Sequence, residues 1–226
     1  MQHTEVDHLV VAAATLAQAA AWAEATLGAT PQPGGRHALM GTHNSLLGLA
    51  GSVYPKTYLE LIAIDPDAPP PGRARWFGLD DPALQARLAA QGPELVGFVA
   101  RSEMVDMHRW GLINARFQPG PILSASRETP AGTLSWKIVV ADDGRPLAGG
   151  AVPTLIQWTG PHPATRLAPS GLDLSTLTVR GMPDLAHQVL RLRPLTRAAL
   201  PGPALEATLA TPRGPVILST AQPSPG

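Results

Sequence analysis

The polar and apolar positions of this chain alternate in short runs more than they recur at helical spacing. Lys56-Thr57-Tyr58-Leu59-Glu60-Leu61-Ile62-Ala63-Ile64 is an apolar, strand-like run with one carboxylate at its centre. Side chains of a strand alternate between faces, so Tyr58, Glu60 and Ile62 share one face while Leu59, Leu61 and Ala63 share the other. A second such run, Val6-Asp7-His8-Leu9-Val10-Val11, carries a single histidine near the start of the chain. Between them the Ala-rich stretch 14–27 has strong helix propensity, with Gly28 as its C-cap and Pro31 and Pro33 beyond. Strands are expected at 36–41 and 44–49, which completes a β-α-β-β-β unit over residues 5–64.

The order of elements then returns. Residues 65–93 hold the Asp65-Pro66-Asp67-Ala68-Pro69-Pro70-Pro71-Gly72 linker and a helix at 80–90 with Pro82 in its first turn. Glu94 to Ala100 reads as a strand and 103–111 as a helix. Strands at 122–127, 134–140 and 153–158 complete a second module over 94–160. An internal repeat outranks local assignments. Residues 172–221 offer a strand, a helix and a hairpin, a partial third βαββ module, and the tail from Ala221 reads as disordered. The fold class that follows is α+β, with tandem βαβββ modules.

Composition narrows the function. Seventeen basic and 17 acidic residues cancel, and charged residues make up 15% of the chain, so no electrostatic footprint for nucleic acid is present. Cysteine is absent, which excludes disulfides and thiolate metal sites. The N-terminus lacks the basic and apolar regions of a signal peptide, and no run reaches the roughly 18 apolar residues of a membrane span. A soluble cytoplasmic protein is the expectation.

A carboxylate that faces a sheet interior requires a cation, a metal or hydrogen bonds. Glu60 has two kinds of partner available: His8, with which it could hold a divalent ion, or Arg36 or Arg127, with which it would form a structural ion pair. Two ligands of one ion approach within about 4 Å. His8 has its own alternative as a core histidine bonded to a backbone carbonyl. Gly41-Thr42-His43-Asn44 reads equally as a turn or as a stretch that presents His43 or Asn44 to a ligand, but alternation forbids all of Thr42, His43 and Asn44 from facing one cavity. Arg127 could bind a substrate carboxylate through its planar fork, and Trp136 and Trp158 read as core aromatics.

Paired modules with a histidine in the first strand and a glutamate in the last resemble the vicinal oxygen chelate superfamily, which includes glyoxalase I. The resemblance rests on Asp7-His8-Leu9-Val10-Val11 and Tyr58-Leu59-Glu60-Leu61-Ile62. It narrows to the glyoxalase-like domain branch through Gly34-Gly35-Arg36-His37, Gly41-Thr42-His43-Asn44-Ser45-Leu46-Leu47, Ser126-Arg127 with Gly132 and Trp136, and Leu155-Ile156-Gln157-Trp158 with His162-Pro163. The resemblance implies that the tandem modules form one cupped mixed sheet, with a divalent ion inside the cup held by His8, Glu60 and Gln157. It also implies a small-molecule ligand, and a monomer or homodimer. It implies Glu60 as the catalytic group, and His37, His43, Asn44, Arg127 and His162 toward the substrate. In the second module the first-strand ligand position falls at Val96 or Gly97, neither of which binds metal. That departure argues against genuine glyoxalase I activity, where one carboxylate moves a proton between adjacent carbons. It leaves two readings: a metal-dependent lyase, hydrolase or dioxygenase acting on a small oxygenated metabolite, and a metal-free binding or sequestering protein.

Overall fold

The computed structural model describes residues 3–49, 51–127 and 132–221; of the tail expected to be disordered, all but Ala221 falls outside these. The chain runs β1 (Glu5–Ala12), α1 (Leu16–Trp22), β2 (Gln32–His37), β3 (Thr42–Leu49) and β4 (Thr57–Ile64), the first module. Thr15 caps α1, its hydroxyl accepting from Gln18 N at 3.1 Å, and a π-helical turn continues the helix over Ala23–Leu27. It stops at Gly28, whose φ of 69° lies in the left-handed region that glycine enters without steric cost.

The linker leads into α2 (Pro82–Gln91), with Asp81 as its N-cap accepting from Ala83 N at 2.8 Å and Pro82 at its first position. Then come β5 (Glu94–Arg101), α3 (Val105–Asn114), β6 (Ile122–Arg127), β7 (Leu134–Val139) and β8 (Thr154–Thr159), the second module. The last unit comprises β9 (Asp173–Arg180), α4 (Asp184–Leu190), β10 (Thr196–Ala198), β11 (Leu205–Thr211) and β12 (Gly214–Ser219).

Both modules contribute to one eight-stranded sheet of order β2-β3-β4-β1-β5-β8-β7-β6. In each module the first strand runs parallel to the last, β1 with β4 and β5 with β8, and β1 joins β5 antiparallel at the centre. The sheet curls until its edge strands β2 and β6 approach each other, which makes the cup. The last unit forms a separate sheet, β10-β9-β11-β12. There β9 lies inside the sheet, parallel to β10 and antiparallel to β11, an order found in neither module.

The two faces of the large sheet hold different cores. Leu9, Val11, Leu59 and Leu61 face outward into an apolar layer shared with Ala19 and Ala23, with Val105 and Leu112 of α3, and with Leu177 and Leu209 of the small sheet. Val10, Ile62, Val99, Trp136, Ile138 and Ile156 face inward, roofed by Trp76 and Phe77 from the linker. The inward face is therefore partly covered by the chain itself. Among the described residues no helix is long and apolar enough to cross a membrane.

Candidate active site

The cavity inside the cup is lined by His8, His37, Asn44, Tyr58 and Glu60 on one side, and by Trp136, Ile138, Ile156 and Trp158 on the other. Its enclosed space of about 30 Å³ takes one or two water molecules or an ion, and the cavity is partly open to solvent beyond that. A larger open groove of about 780 Å³, between the end of α3 and residues 141–148, contains none of the candidate residues.

Strand register places the first-module groups. In the parallel β1–β4 pair, His8 lies opposite Tyr58 and Val10 opposite Glu60, so His8 and Glu60 share the concave face. Next door, β3 sets Leu46 opposite Glu60 and Asn44 opposite Ile62, which brings Asn44 inside and sends His43 to the other face. His43 is therefore not part of the cavity. His37, at the end of β2, lines the cavity, with Nδ1 3.0 Å from the Thr42 hydroxyl.

An acidic neighbour that alternation alone excludes also belongs to the site. Between Val6 and His8 the register with β5 slips by one residue, a β-bulge with Asp7 as the extra residue. Bulges re-aim side chains beside active sites. Here the bulge lets Nδ1–H of His8 donate to Oδ1 of Asp7 at 2.6 Å. Asp7 is fully buried, and its other oxygen accepts from Trp158 Nε1 at 2.9 Å and from His162 Nε2 at 2.8 Å. His162 thus sits behind the site, bonded to Asp7, and Ala164 N donates to its Nδ1 at 3.1 Å.

With Nδ1 committed to Asp7, Nε2 of His8 faces Glu60, 3.5 Å from Oε2. That is long for a hydrogen bond. It matches the roughly 3.4 Å that separates two ligands about 2.1 Å from a tetrahedral ion. The second glutamate oxygen, Oε1, accepts from Asn44 Nδ2 at 2.5 Å, while Asn44 Oδ1 accepts from Gly35 N at 2.7 Å, which fixes the amide's orientation.

The electrostatics follow. Burial opposes charge on His8, yet the hydrogen bond to Asp7 and the charges of Asp7 and Glu60 outweigh it and raise the imidazole to about 9. Burial would likewise raise Glu60, but His8, His37 and Asn44 hold it down to about 2. Asp7 is driven the same way, well below the carboxylate range, by His162 and His8 against its burial. His37 moves oppositely: burial, only partly offset by Glu60, lowers it to about 4 and keeps it neutral.

Among its described residues the second module contributes no donor to an ion. Gln157, the expected third ligand, points away from the cavity: Ile156 and Trp158 on either side of it face inward, and its Oε1 accepts from Val105 N at 3.1 Å, at the start of α3. The alternation of β8 explains the correction, since neighbours of inward residues must face outward. Arg36, one candidate partner for Glu60, instead bonds Asp65 and Asp67. Among the described residues no three His, Asp or Glu side chains converge on a metal-binding geometry. The donor set is two groups on one wall, His8 and Glu60, with a carboxylate behind the histidine as metal-ligating histidines commonly have.

Arg127 reaches the cavity from β6, on the far edge of the sheet. Sequence reasoning named it, but it missed Asp7, Trp76 and Phe77. The last two lie in the linker, whose composition signals only a loop.

Comparison with known proteins places the fold. The family model for the glyoxalase-like domain matches residues 6–193. No curated protein matches the chain. Among solved structures, a hypothetical protein from Staphylococcus aureus is 12% identical, with 96% of this chain and 86% of that one covered and a TM-score of 0.57. The methylmalonyl-CoA epimerase of Mycobacterium tuberculosis is 19% identical over 71% of this chain and 91% of its own, with a TM-score of 0.40. That of Streptomyces coelicolor, in complex with 2-nitronate-propionyl-CoA, is 16% identical over 70% and 96%, with a TM-score of 0.42. At 12% identity the likeness to the Staphylococcus aureus protein concerns the fold alone. With most of the chain, from β1 through the turn after α4, under one family model, this protein belongs to the glyoxalase-like domain family of the vicinal oxygen chelate superfamily.

Proposed function

We propose that this protein is an enzyme acting on a small oxygenated metabolite with the help of a divalent ion held between His8 and Glu60. One observation carries the reading: a histidine nitrogen and a glutamate oxygen 3.5 Å apart inside the cup, with Asp7 fixing the histidine's ring orientation from behind. When bound, such an ion would supply Lewis-acid stabilisation of negative charge on substrate oxygens.

The chain's own residues supply the rest. Asp7 holds Nδ1–H of His8 and keeps Nε2 turned to the cavity. Asn44 occupies Oε1 of Glu60 and leaves Oε2 free to face His8. Trp136, Trp158 and Ile156 exclude water from the opposite wall. With its carboxyl held to about 2, Glu60 is a weak proton acceptor, so the site suits lyase, hydrolase or dioxygenase chemistry better than a glyoxalase-type proton shuttle. His8 and Glu60 would hold the ion, and substrate or water oxygens would have to supply the rest of its coordination.

A metal-free binding protein is the second reading, and the histidine favours it: an imidazolium raised to about 9 already neutralises the carboxylates around it. Elemental analysis of protein purified without chelator separates the two. The enzyme reading expects a stoichiometric divalent ion that disappears in the His8→Ala, Glu60→Ala double variant. Metal-free protein whose ligand binding survives the double substitution would establish the second reading instead.

A further inference from the structure

The cavity contains more hydrogen-bond donors than the fold uses. Nε and Nη1 of Arg127 are both buried, and among the described residues neither has a hydrogen-bond partner. The indole Nε1 of Trp76, which lines the same cavity, is also buried and unpartnered. Every unsatisfied side-chain atom identified on this cavity is thus an N–H, and a buried N–H without an acceptor is costly to fold around. Arg127 forms no ion pair with any described carboxylate: Glu60 and Asp7 are engaged by His8, Asn44, Trp158 and His162, and Asp65 and Asp67 by Arg36.

The fold makes room for this side chain. A Cβ on Gly35 would lie 2.9 Å from Cδ of Arg127 and closer still to Nη1. One on Gly34 would lie 2.8 Å from Cγ of Asn44 and overlap its Oδ1. Neither glycine has a positive φ, so steric space, and not backbone conformation, is what requires glycine here. Gly34-Gly35 on β2 is the floor onto which the opposite edge strand lays a guanidinium, where the two ends of the cup meet.

We propose that Arg127 forms the carboxylate-binding pocket of this site, so that the natural ligand carries a carboxylate. The unpartnered Nε–H and Nη1–H lie on different edges of the guanidinium, and either edge, completed by Nη2, matches a carboxylate in bidentate fashion. The cavity beside it is narrow, at about 30 Å³ and walled by Trp136 and Trp158, and it suits a flat two-oxygen group better than a tetrahedral one. The guanidinium and its glycine floor are distinct from His8 and Glu60, which line the same cavity, so the inference names a ligand class for the proposed site and does not need the ion.

The test is calorimetric titration of the full chain, with EDTA present, using formate, acetate, glycolate and pyruvate as probes and hydroxyacetone and inorganic phosphate as controls. At least one carboxylate should bind, and hydroxyacetone should not. Affinity should fall at least tenfold in Arg127→Lys and in Gly35→Ala, which displaces the guanidinium, and vanish in Arg127→Gln. His8→Ala should retain carboxylate binding in the same titration while elemental analysis without chelator tests its ion separately, so a failure of the metal reading would leave this result standing. The proposal is overturned if no probe binds, if phosphate binds as tightly as the best carboxylate, or if the three pocket variants bind as the parent does. If Arg127→Gln does not fold, Arg127→Lys and Gly35→Ala still decide the matter.

Discussion

His37 makes the stability of this protein depend on pH in a window that can be worked out from its surroundings. The ring is 9% exposed, sits edge-on to Trp76 with centroids 5.0 Å apart, and has its polar contacts with neutral groups, the Thr42 hydroxyl and the Asn44 amide. Burial is the largest influence and disfavours the charged ring. Glu60 opposes it, Arg127 and His8 reinforce it, and the result is about 4 against an ordinary 6.5. A histidine whose folded value is depressed binds its proton more readily in the unfolded chain, so stability is complete above 6.5 and is lost as pH falls through about 4. A displacement of that size is worth about 3 kcal/mol, at no more than about 1.4 kcal/mol per pH unit. Urea denaturation in EDTA at pH 4.5, 5.5, 6.5 and 7.5 measures it, with His37→Gln as the untitratable comparison. His8, raised to about 9, acts with the opposite sign above 6.5 and leaves the lower window clear. The variant should lose most of the stability gradient between pH 4.5 and 6.5. An identical gradient in parent and variant would refute the argument from burial.

Other substitutions probe the neighbouring links. Asp7→Asn keeps the shape but removes the charge that three N–H donors address, and should cost about 3–5 kcal/mol in urea denaturation; a loss under 1 kcal/mol would mean that the buried pair contributes little. Gly34→Ala should push Asn44 off Glu60 and cost about 1–3 kcal/mol for the freed buried groups, with crystallographic displacement of the amide as the direct check. Gln157→Leu removes the acceptor for Val105 N and should cost about 1 kcal/mol, with metal content unchanged; loss of the ion in this variant would return Gln157 to the ligand set. Ile156→Glu supplies a carboxylate on the wall facing His8 and should lower the melting temperature of ion-free protein while increasing the stabilisation that added divalent ion gives; equal ion-induced shifts in parent and variant would place position 156 out of reach.

The repeat and the inward pair were legible because both follow from short-range pattern. Period-two alternation put Tyr58, Glu60 and Ile62 on one face, and the strand register keeps them there. The Ala-rich helix ends at Gly28 because its left-handed conformation is written in the residue type. Asp7 was not legible, because the bulge that re-aims it is a property of how β1 pairs with β5, nearly a hundred positions along the chain. Trp76 and Phe77 were hidden for a similar reason: nothing local says that a proline-rich linker will fold back as the roof of the cup. Gln157 is the instructive case. Family pattern assigned it to the site, yet alternation against Ile156 and Trp158 would have turned it outward, and the local rule was the better guide.

The two halves of the cup share a topology and differ in chemistry, and the difference explains why the site is so polarised. Duplication places equivalent strands on opposite walls, so either wall could have carried donors. Here His8, His37, Asn44 and Glu60 all belong to the first module, while the second supplies Trp136, Ile138, Ile156 and Trp158. An apolar wall facing a charged one lowers the local dielectric, and each interaction of Asp7, His8 and Glu60 is strengthened accordingly. Among the described residues Arg127 is the one charged group that the second module sends into this cavity, and it arrives over glycines of the first. A ligand held there would be fixed at one end by the second module and presented to the acid–imidazole pair of the first. The halves would then divide the work, one anchoring and enclosing, the other carrying the reaction, and that division requires the loss of symmetry seen in the side chains.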